Sequence, residues 1–348
     1  MFSPQFSISN KILSHIATIE AVEEVIKHAP ILPLWEKKFR EDAIVRSVHH
    51  GTHIEGNMLE KDEAKNVLMG KDVMARSRDI QEVINYRRVI DFIDEEAKRK
   101  IVSYSEKFIS RLHTIIVDKI LSPERAGAYR TKQVVVRNSQ TGEVTFRPPA
   151  PVEVPFLMKE FIIWLNNTKE EDLHPVLKAG IAHHELVRIH PYVDGNGRLA
   201  RVLATLIMFR GGYDIRRFFS LEEYYDKDAI MYYESLQKAS SGQMTAWLEY
   251  FTYGASIEFT KIKEKILRLS KDAKLKEQFG GRQIFLTERQ MKIIEYIQEI
   301  GYLQNQAFDT LFPDLSEDSV LRDLKDLIDK GLLKKVGRTK AARYVLTG

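Results

Sequence analysis

The twelve residues 190–201 read His-Pro-Tyr-Val-Asp-Gly-Asn-Gly-Arg-Leu-Ala-Arg, and they decide how the middle of this 348-residue chain folds. Apolar residues recur at helical spacing before this stretch, over Pro175–Ile189, and again after it, from Leu199 onward. Pro191 disfavours helical dihedral angles at His190, so the first helix is predicted to end there. The stretch is therefore predicted to be a loop that joins two helices.

The residue types of this loop predict a phosphate site. Gly195 and Gly197 permit the backbone angles of an anion-binding nest, and the N–H groups at the start of the second helix point toward a bound anion. Arg198 and Arg201 lie one turn apart on one helix face, where two guanidinium groups can hold the outer phosphates of a nucleotide.

Two further residues of the loop supply a metal ligand and a base. Asp194 offers the carboxylate that Mg²⁺ needs when phosphates and water fill its other positions. The side chain of His190, with an ordinary pKa near ~6.5, is neutral at physiological pH and can take a proton from a hydroxyl group. The loop therefore predicts attack of a hydroxyl on a nucleotide phosphorus.

In this order the residues resemble the signature of the Fic family, His-Pro-Phe-x-Asp/Glu-Gly-Asn-Gly/Lys-Arg with a second arginine three residues later. Tyr192 stands where the family usually has phenylalanine. The resemblance implies a mainly α fold with a Fic-type helical core. It also implies an enzyme, a protein adenylyltransferase that moves AMP from ATP to a Ser, Thr or Tyr hydroxyl of a protein, including the chain itself.

The resemblance also implies a role for each residue of the signature. His190 would be the catalytic base, and Asp194 would bind Mg²⁺. The residues implied to bind ATP are Gly195, Asn196, Gly197, Arg198, Leu199, Ala200 and Arg201.

Residues 133–147 predict a β-hairpin, because two β-rich runs flank a polar turn that contains glycine. Fic proteins have a flap at the matching place. The resemblance implies that a target segment pairs with the free edge of this flap as an added strand, at Val134, Val135 and Val136.

Residues 49–57 follow a helical pattern and resemble the inhibitory motif of Fic proteins, Ser/Thr-x-x-x-Glu-Gly/Asn, in the version placed before the core. The resemblance implies that Glu55 pairs with Arg201 and removes a partner of the ATP γ-phosphate. Gly51 occupies the Ser/Thr position of the motif, while Thr52 lies one residue later, which leaves the strength of the inhibition open.

Tyr232 and Tyr233 follow the signature on a segment of helical pattern. Aromatic residues at such spacing usually belong to the core, whereas the resemblance implies that tyrosines from a similar place line the adenine pocket. Both interpretations stay open.

Residues 282–348 resemble a winged helix-turn-helix domain, with helices predicted over 286–300, 304–311 and 316–330, followed by a second hairpin. The third helix carries five acidic and three basic residues, which disfavours DNA on that face. The wing carries five basic residues, namely Lys334, Lys335, Arg338, Lys340 and Arg343. The sequence therefore predicts contact either with DNA or with a protein, a homodimer partner included.

The whole chain is predicted to comprise an N-terminal helical region with the inhibitory motif (1–100), the catalytic core (101–260), a linker helix (261–281) and the winged-helix domain (282–348). Other helices are predicted over 12–27, 34–50, 80–98, 106–121, 156–166 and 261–278.

The overall composition gives little reason to expect a membrane. The net charge is +4, cysteine is absent, and no leader or membrane-spanning run occurs in the sequence, so we expect a cytoplasmic protein. Two other functions stay open: a winged-helix transcription regulator whose core senses nucleotide, and a Fic enzyme that removes AMP. The intact signature favours an enzyme over a sensor, because a sensor needs no base at position 190.

Overall fold

A computed structural model describes residues 2–29, 33–99, 103–137, 144–169, 171–213, 217–239, 242–278, 286–313, 315–337 and 342–347. The chain divides into two compact units, Met1–Leu267 and Arg268–Gly348. The predicted mainly α class is confirmed. Among the residues that the structure describes, no helix combines the length and the apolar character that a membrane crossing requires.

The first unit consists of helices and one short antiparallel hairpin. Its elements are α1 (Asn10–His28), α2 (Pro33–His53), α3 (Lys61–Leu68), α4 (Ser77–Ala97), α5 (Glu106–Ile116), β1 (Val136–Arg137), β2 (Val144–Phe146), α6 (Val154–Asn167), α7 (Pro175–Ile189), α8 (Asn196–Arg210), α9 (Leu221–Lys227), α10 (Ala229–Ala239) and the start of α11 (Thr245–Gln278).

Helices α7 and α8 form the centre of this unit. They pack against each other, and α2, α4, α5 and α6 pack around them. Leu186 and Ile189 of α7 and Leu199 and Leu203 of α8 are fully buried. Because burial of one such side chain contributes about 1.5–3 kcal/mol, this helix pair is a firm base for the loop between its ends.

The predicted ends of α7 and α5 differ in accuracy. The helix Pro175–Ile189 is confirmed at both ends. The helix predicted over 106–121 is too long, because α5 ends at Ile116. The side-chain amide of Asn85 donates to the carbonyl oxygens of Ile116 (3.2 Å) and Asp118 (2.7 Å), which satisfies carbonyl groups at this helix end.

The helix predicted over 261–278 begins sixteen residues earlier, at Thr245. Its first half carries the buried residues Trp247, Leu248 and Phe251, which pack against α7 at Gly180. A Cβ atom on Gly180 would lie 3.0 Å from both Leu248 and Phe251, so glycine permits this close approach. The indole nitrogen of Trp247 donates to the Gly180 carbonyl at 2.7 Å.

In the second unit, the residues described after Gln278 form three α-helices followed by two strands. They are α12 (Glu288–Ile300), α13 (Phe308–Leu311), α14 (Glu317–Asp329), β3 (Leu333–Val336) and β4 (Arg343–Leu346). The strands pair antiparallel, with Leu333 opposite Leu346, and the core is built from apolar residues of all three helices and both strands. The wing residues Arg338 and Lys340 lie outside the described residues.

Candidate active site

The loop between α7 and α8 is held in one shape by its own residues. His190 ends α7 in the left-handed region, with φ 50° and ψ 59°, and Gly195 precedes α8 with φ 78°. The side chain of Asn196 accepts from the N–H of Tyr192 and donates to its carbonyl, both at 2.9 Å. Asn196 therefore closes the loop with its side chain, and only its main-chain N–H remains for an anion.

His113 on α5 holds the loop in place through a hydrogen bond and a ring contact. Its Nδ1 accepts from the N–H of Gly127, so its Nε2 carries the proton and donates to the Asp194 carbonyl at 2.9 Å. Its ring stacks on Tyr192 with 3.7 Å between ring centroids. Tyr192 is fully buried in this packing, and its hydroxyl has no hydrogen-bond partner within the described part of the chain.

His190 has the hydrogen bonding that a general base requires. Its Nδ1 lies 3.3 Å from the carbonyl oxygen of Val187 and must carry a proton to donate to it, which leaves the lone pair on Nε2. Burial lowers the pKa of His190, although its hydrogen bond to Val187 and the charge of Glu55 act in the opposite direction. The imidazole is thus neutral at pH 7 and able to accept a proton.

Arg130 joins the loop to the base of the hairpin. It is 2% exposed, its Nε donates to the His190 carbonyl at 2.8 Å and its Nη2 donates to the Pro149 carbonyl at 2.6 Å. Its own N–H donates to the Pro191 carbonyl at 2.9 Å. Sequence reasoning assigned this arginine no role, because a lone arginine before a strand carries no signal of a partner sixty residues away.

Asp194 is an ionised carboxylate at the edge of the site. Burial alone would raise the pKa of Asp194, but the charges of Arg198 and Arg78 outweigh it and hold the pKa below its usual range. Arg78 Nη2 lies 2.7 Å and Arg198 Nη2 lies 3.0 Å from the carboxylate oxygens. A single ionised carboxylate beside a phosphate site suits Mg²⁺. The Arg78 side chain is 56% exposed and can move aside.

The first turn of α8 forms the anion cradle. The N–H groups of Asn196, Gly197 and Arg198 have no carbonyl four residues earlier within the helix to bond to. Leu199 and Ala200 are fully buried, so their side chains belong to the core and only their main chain borders the cradle. The helix dipole makes this turn favourable for phosphate.

Both signature arginines are buried and paired with acids. Arg198 is 2% exposed and lies 3.1 Å from Glu82 on α4 as well as against Asp194. Arg201 is 2% exposed, and its Nη2 lies 2.9 Å from Glu55 Oε1 and donates to the Gly51 carbonyl at 2.9 Å. Glu55 therefore contacts Arg201, the arginine with which the family resemblance predicted that it would pair.

Glu55 also occupies the cradle itself. A Cβ atom added to Gly197 would lie 2.2 Å from Glu55 Oε1, so the carboxylate rests directly on the first turn of α8. Its position follows from the turn after α2, where the N–H of Glu55 donates to the Thr52 carbonyl and Gly56 adopts φ 91°. Asn57 ties this turn to α4 by donating to Glu82 at 3.0 Å.

Gly51 leaves no room for a larger side chain at this position. A Cβ atom on Gly51 would lie 2.6 Å from the ring of Tyr86, which is buried and donates to Glu222 at 3.1 Å. The neighbouring hydroxyl of Thr52 donates back to the carbonyl of Val48 at 2.9 Å. In this chain the carbonyl of residue 51 contacts Arg201, and no hydroxyl at that position is required.

Tyr232 and Tyr233 have different surroundings. Tyr232 is 1% exposed, its hydroxyl lies 2.8 Å from His183 Nε2, and its ring stacks on Tyr225. Tyr233 is 42% exposed and its hydroxyl donates to the Ile54 carbonyl at 3.2 Å. Both border the pair of Glu55 and Arg201, because Tyr232 interacts with Arg201 and Tyr233 contacts the residue that precedes Glu55.

The predicted hairpin is present, with β1 and β2 as its strands. Val136 pairs with Phe146 and Arg137 with Val144, with a register shift between them. Val134 and Val135 precede β1 and are half-buried, while residues 138–143 of the predicted turn lie outside the described residues. The side chain of Gln133 donates to the Pro148 carbonyl at 2.9 Å and joins the two arms of the hairpin.

Residues 103–208 match the family model described as the Fic/DOC family. This chain contains a Fic domain. The matched range runs from just before α5 nearly to the end of α8, and it includes the hairpin and the loop from His190 to Arg201. Glu55 lies before the matched range.

Curated relatives of this Fic domain carry the name "Protein adenylyltransferase Fic". The protein of Drosophila melanogaster is 32% identical over 179 residues, which are 51% of this chain and 35% of that protein. The protein of Nematostella vectensis is 29% identical over 222 residues, which are 62% of this chain and 47% of that protein. The chain thus spans about a third to about half the length of these relatives.

Two solved structures have a similar fold. A Fic family protein from Desulfovibrio desulfuricans G20 is 23% identical, with a TM-score of 0.66, and the match covers 100% of this chain and 99% of that chain. Fic-1 from C. elegans is 24% identical, with a TM-score of 0.63, and the match covers 75% of this chain and 73% of that chain.

Proposed function

We propose that this chain is a protein adenylyltransferase that moves AMP from ATP to a hydroxyl-bearing side chain of a protein, and that Glu55 inhibits it. One observation carries the proposal. The carboxylate of Glu55 lies 2.9 Å from Arg201 and directly on Gly197, at the phosphate end of a site whose other end holds a neutral His190. The name of the curated relatives supports the same reaction.

In the proposed reaction His190 acts as a general base. The hydroxyl oxygen of the target attacks the α-phosphorus of ATP while its proton passes to Nε2 of His190. The bond from the α-phosphorus to the bridging oxygen breaks, and pyrophosphate leaves. The N–H groups of Asn196, Gly197 and Arg198 hold phosphate oxygens, and Arg198 and Arg201 hold the outer phosphates.

Asp194 is the residue that would hold Mg²⁺, which neutralises phosphate charge when it is bound. Arg78 donates to the same carboxylate at 2.7 Å, so Arg78 has to withdraw from one oxygen of Asp194 before a metal can share it. Arg78 is largely exposed, and the loss of such an exposed ion pair costs only about 0–1 kcal/mol.

Mass spectrometry of reaction products tests this proposal. The Glu55→Gly protein is incubated with Mg²⁺ and ATP labelled on the α-phosphate, alone and with candidate proteins. We expect covalent AMP on a hydroxyl side chain. Loss of AMP from a protein already modified would instead assign the removing activity. If no protein gains or loses AMP, the proposal is wrong.

We propose that the hairpin binds the target, with Val134, Val135 and Val136 pairing with it as an added strand. Arg130 supports this role, because it donates hydrogen bonds both to the His190 carbonyl and to the Pro149 carbonyl at the end of the hairpin. It thereby fixes the distance between a target bound to the hairpin and the imidazole of His190. Tyr233, which is exposed beside Glu55, and Tyr232, which is buried and interacts with Arg201, are our candidates for adenine contact once Glu55 moves.

A proline at position 135 is expected to weaken target modification. Proline removes one main-chain N–H from the strand, and one hydrogen bond is worth about 0.5–1.5 kcal/mol, so kcat/KM for the target should fall by roughly threefold to tenfold. ATP affinity should stay unchanged. Val135→Thr keeps both the N–H and the branched shape and serves as the control. Equal modification by the two variants would contradict strand addition.

For the second unit we propose a winged-helix contact domain. Asp323 and Asp326 of α14 pair within the unit with Arg289 and Lys330, while Lys334 and Lys335 of the wing are exposed. Phosphate contact through the wing would make affinity for duplex DNA fall steeply with salt. Binding without that salt dependence would assign the wing to a protein partner or to a second copy of the chain.

A further inference from the structure

Three histidines and one aspartate meet where α2 ends. His50 Nδ1 and His53 Nδ1 each lie 2.8 Å from a carboxylate oxygen of Asp226, which comes from α9. The ring of His49 lies 4.6 Å from that of His50 and 5.4 Å from that of His53, measured between centroids. The Asp226 side chain is only 8% exposed.

The ligand atoms of this cluster are close enough to share one ion. One atom each from His49, His50 and Asp226 lies within 4.8 Å of the other two, and no other group in the described part of the chain meets that condition. Imidazole nitrogen and carboxylate oxygen are ligands of Zn²⁺, and three protein ligands with one open position are a known arrangement.

We propose that His49, His50 and Asp226 form a site for a transition-metal ion of the Zn²⁺ class. His53 donates to the same carboxylate and fixes its orientation, as a hydrogen-bonded neighbour of a ligand does. The ion would join the last turn of α2 to α9. This site would differ from the proposed Mg²⁺ site at Asp194 in the ion that it prefers, because its nitrogen donors suit a softer ion than Mg²⁺.

Titration calorimetry with Zn²⁺ tests the site on the full chain, freed of metal with a chelator and without ATP, so that the result is independent of the transfer reaction. We expect one equivalent of Zn²⁺ whose affinity falls at least about tenfold in His49→Ala and in Asp226→Asn. We also expect Zn²⁺ to raise the melting temperature of the wild-type chain, because it binds the folded state.

His28→Ala is the matched control, since His28 is exposed at the end of α1 and pairs with Glu24, one turn earlier on the same helix. It should bind Zn²⁺ like the wild type. Should the two cluster variants fold poorly, the visible absorption of Co²⁺ bound to the wild-type chain decides, because a low-coordinate site absorbs more strongly than hydrated Co²⁺. Absence of that absorption, absence of Zn²⁺ binding, or equal binding by all variants would overturn the site.

Discussion

Replacing Glu55 with glycine is expected to raise AMP transfer by roughly 10²-fold, the usual worth of one charged or hydrogen-bonding group at a reacting phosphate or oxyanion. In the resting chain the Glu55 carboxylate lies 2.9 Å from Arg201 and directly on Gly197. It therefore occupies both the guanidinium and the first turn of α8, which we propose to bind the phosphates of ATP. Glycine removes the carboxylate and leaves the turn intact, because residue 56 already supplies the left-handed conformation.

The measurement is the initial rate of α-labelled AMP incorporation into protein for each variant. Glu55→Gln tests charge apart from shape, because the amide still fills the cradle but no longer adds negative charge beside the γ-phosphate. We expect its rate to lie between those of the wild type and Glu55→Gly. Glu24→Gln, on the exposed face of α1, is the matched control and should leave the rate unchanged. An unchanged or lower rate in Glu55→Gly would remove Glu55 from any inhibitory role.

The same variant should lose stability when nucleotide is absent. Arg201 is 2% exposed, and removal of one partner of a buried ion pair costs about 3–5 kcal/mol, because the other charge is left uncompensated. The Gly51 carbonyl still accepts one hydrogen bond from Arg201, which reduces this cost. ATP with Mg²⁺ should restore the melting temperature, since phosphate then takes the place of the carboxylate.

The sequence was sufficient wherever the decisive contacts are local. Pro191 and the helical spacing before it predicted the end of α7. Gly195 and Gly197 predicted the backbone angles of a nest; Gly195 adopts the left-handed conformation with φ 78°, whereas Gly197 lies in the first turn of α8. The assignment of Glu55 to Arg201 came from the family motif and not from spacing, yet the structure brings the two side chains to 2.9 Å.

Contacts between segments that lie far apart along the chain could not be predicted from the sequence. Arg130, Arg78 and Tyr86 each act on the site through a partner that lies roughly 35 to 116 residues away along the chain. Each is an ordinary residue type in an ordinary pattern, so only the fold identifies its partner. The sequence also does not reveal that α11 begins at Thr245, because its first half is apolar and buried whereas its second half is charged, so the two halves have different patterns.

The contacts also show why the resting site is stable without substrate. Each charged side chain of the signature forms a salt bridge within the chain. Arg201 pairs with Glu55, Arg198 pairs with Glu82 and Asp194, and Asp194 also pairs with Arg78. Two of these partners, Glu55 and Arg78, have side chains that are 28% and 56% exposed, whereas Glu82 is buried. We therefore expect Glu55 and Arg78 to move on ATP binding and Glu82 to stay.

Replacing His190 with alanine is expected to lower transfer by on the order of 10² to 10⁴. The experiment is sharpest in the Glu55→Gly background, where the rate before substitution is highest. His190 Nδ1 is held by the Val187 carbonyl, so Nε2 is the ring atom that can take the proton of the target hydroxyl, and alanine removes it without touching the cradle. ATP affinity should accordingly change little.

Two readouts separate a base from a residue that only supports the loop. Added imidazole should restore part of the rate in the alanine variant, because the small molecule can fill the space of the lost ring, whereas a distorted loop would not recover. With His190 in place, the rate should fall only below about pH 6.5, since burial lowers its pKa and the base works in its neutral form above that value. Full activity of the alanine variant would show that another group takes the proton.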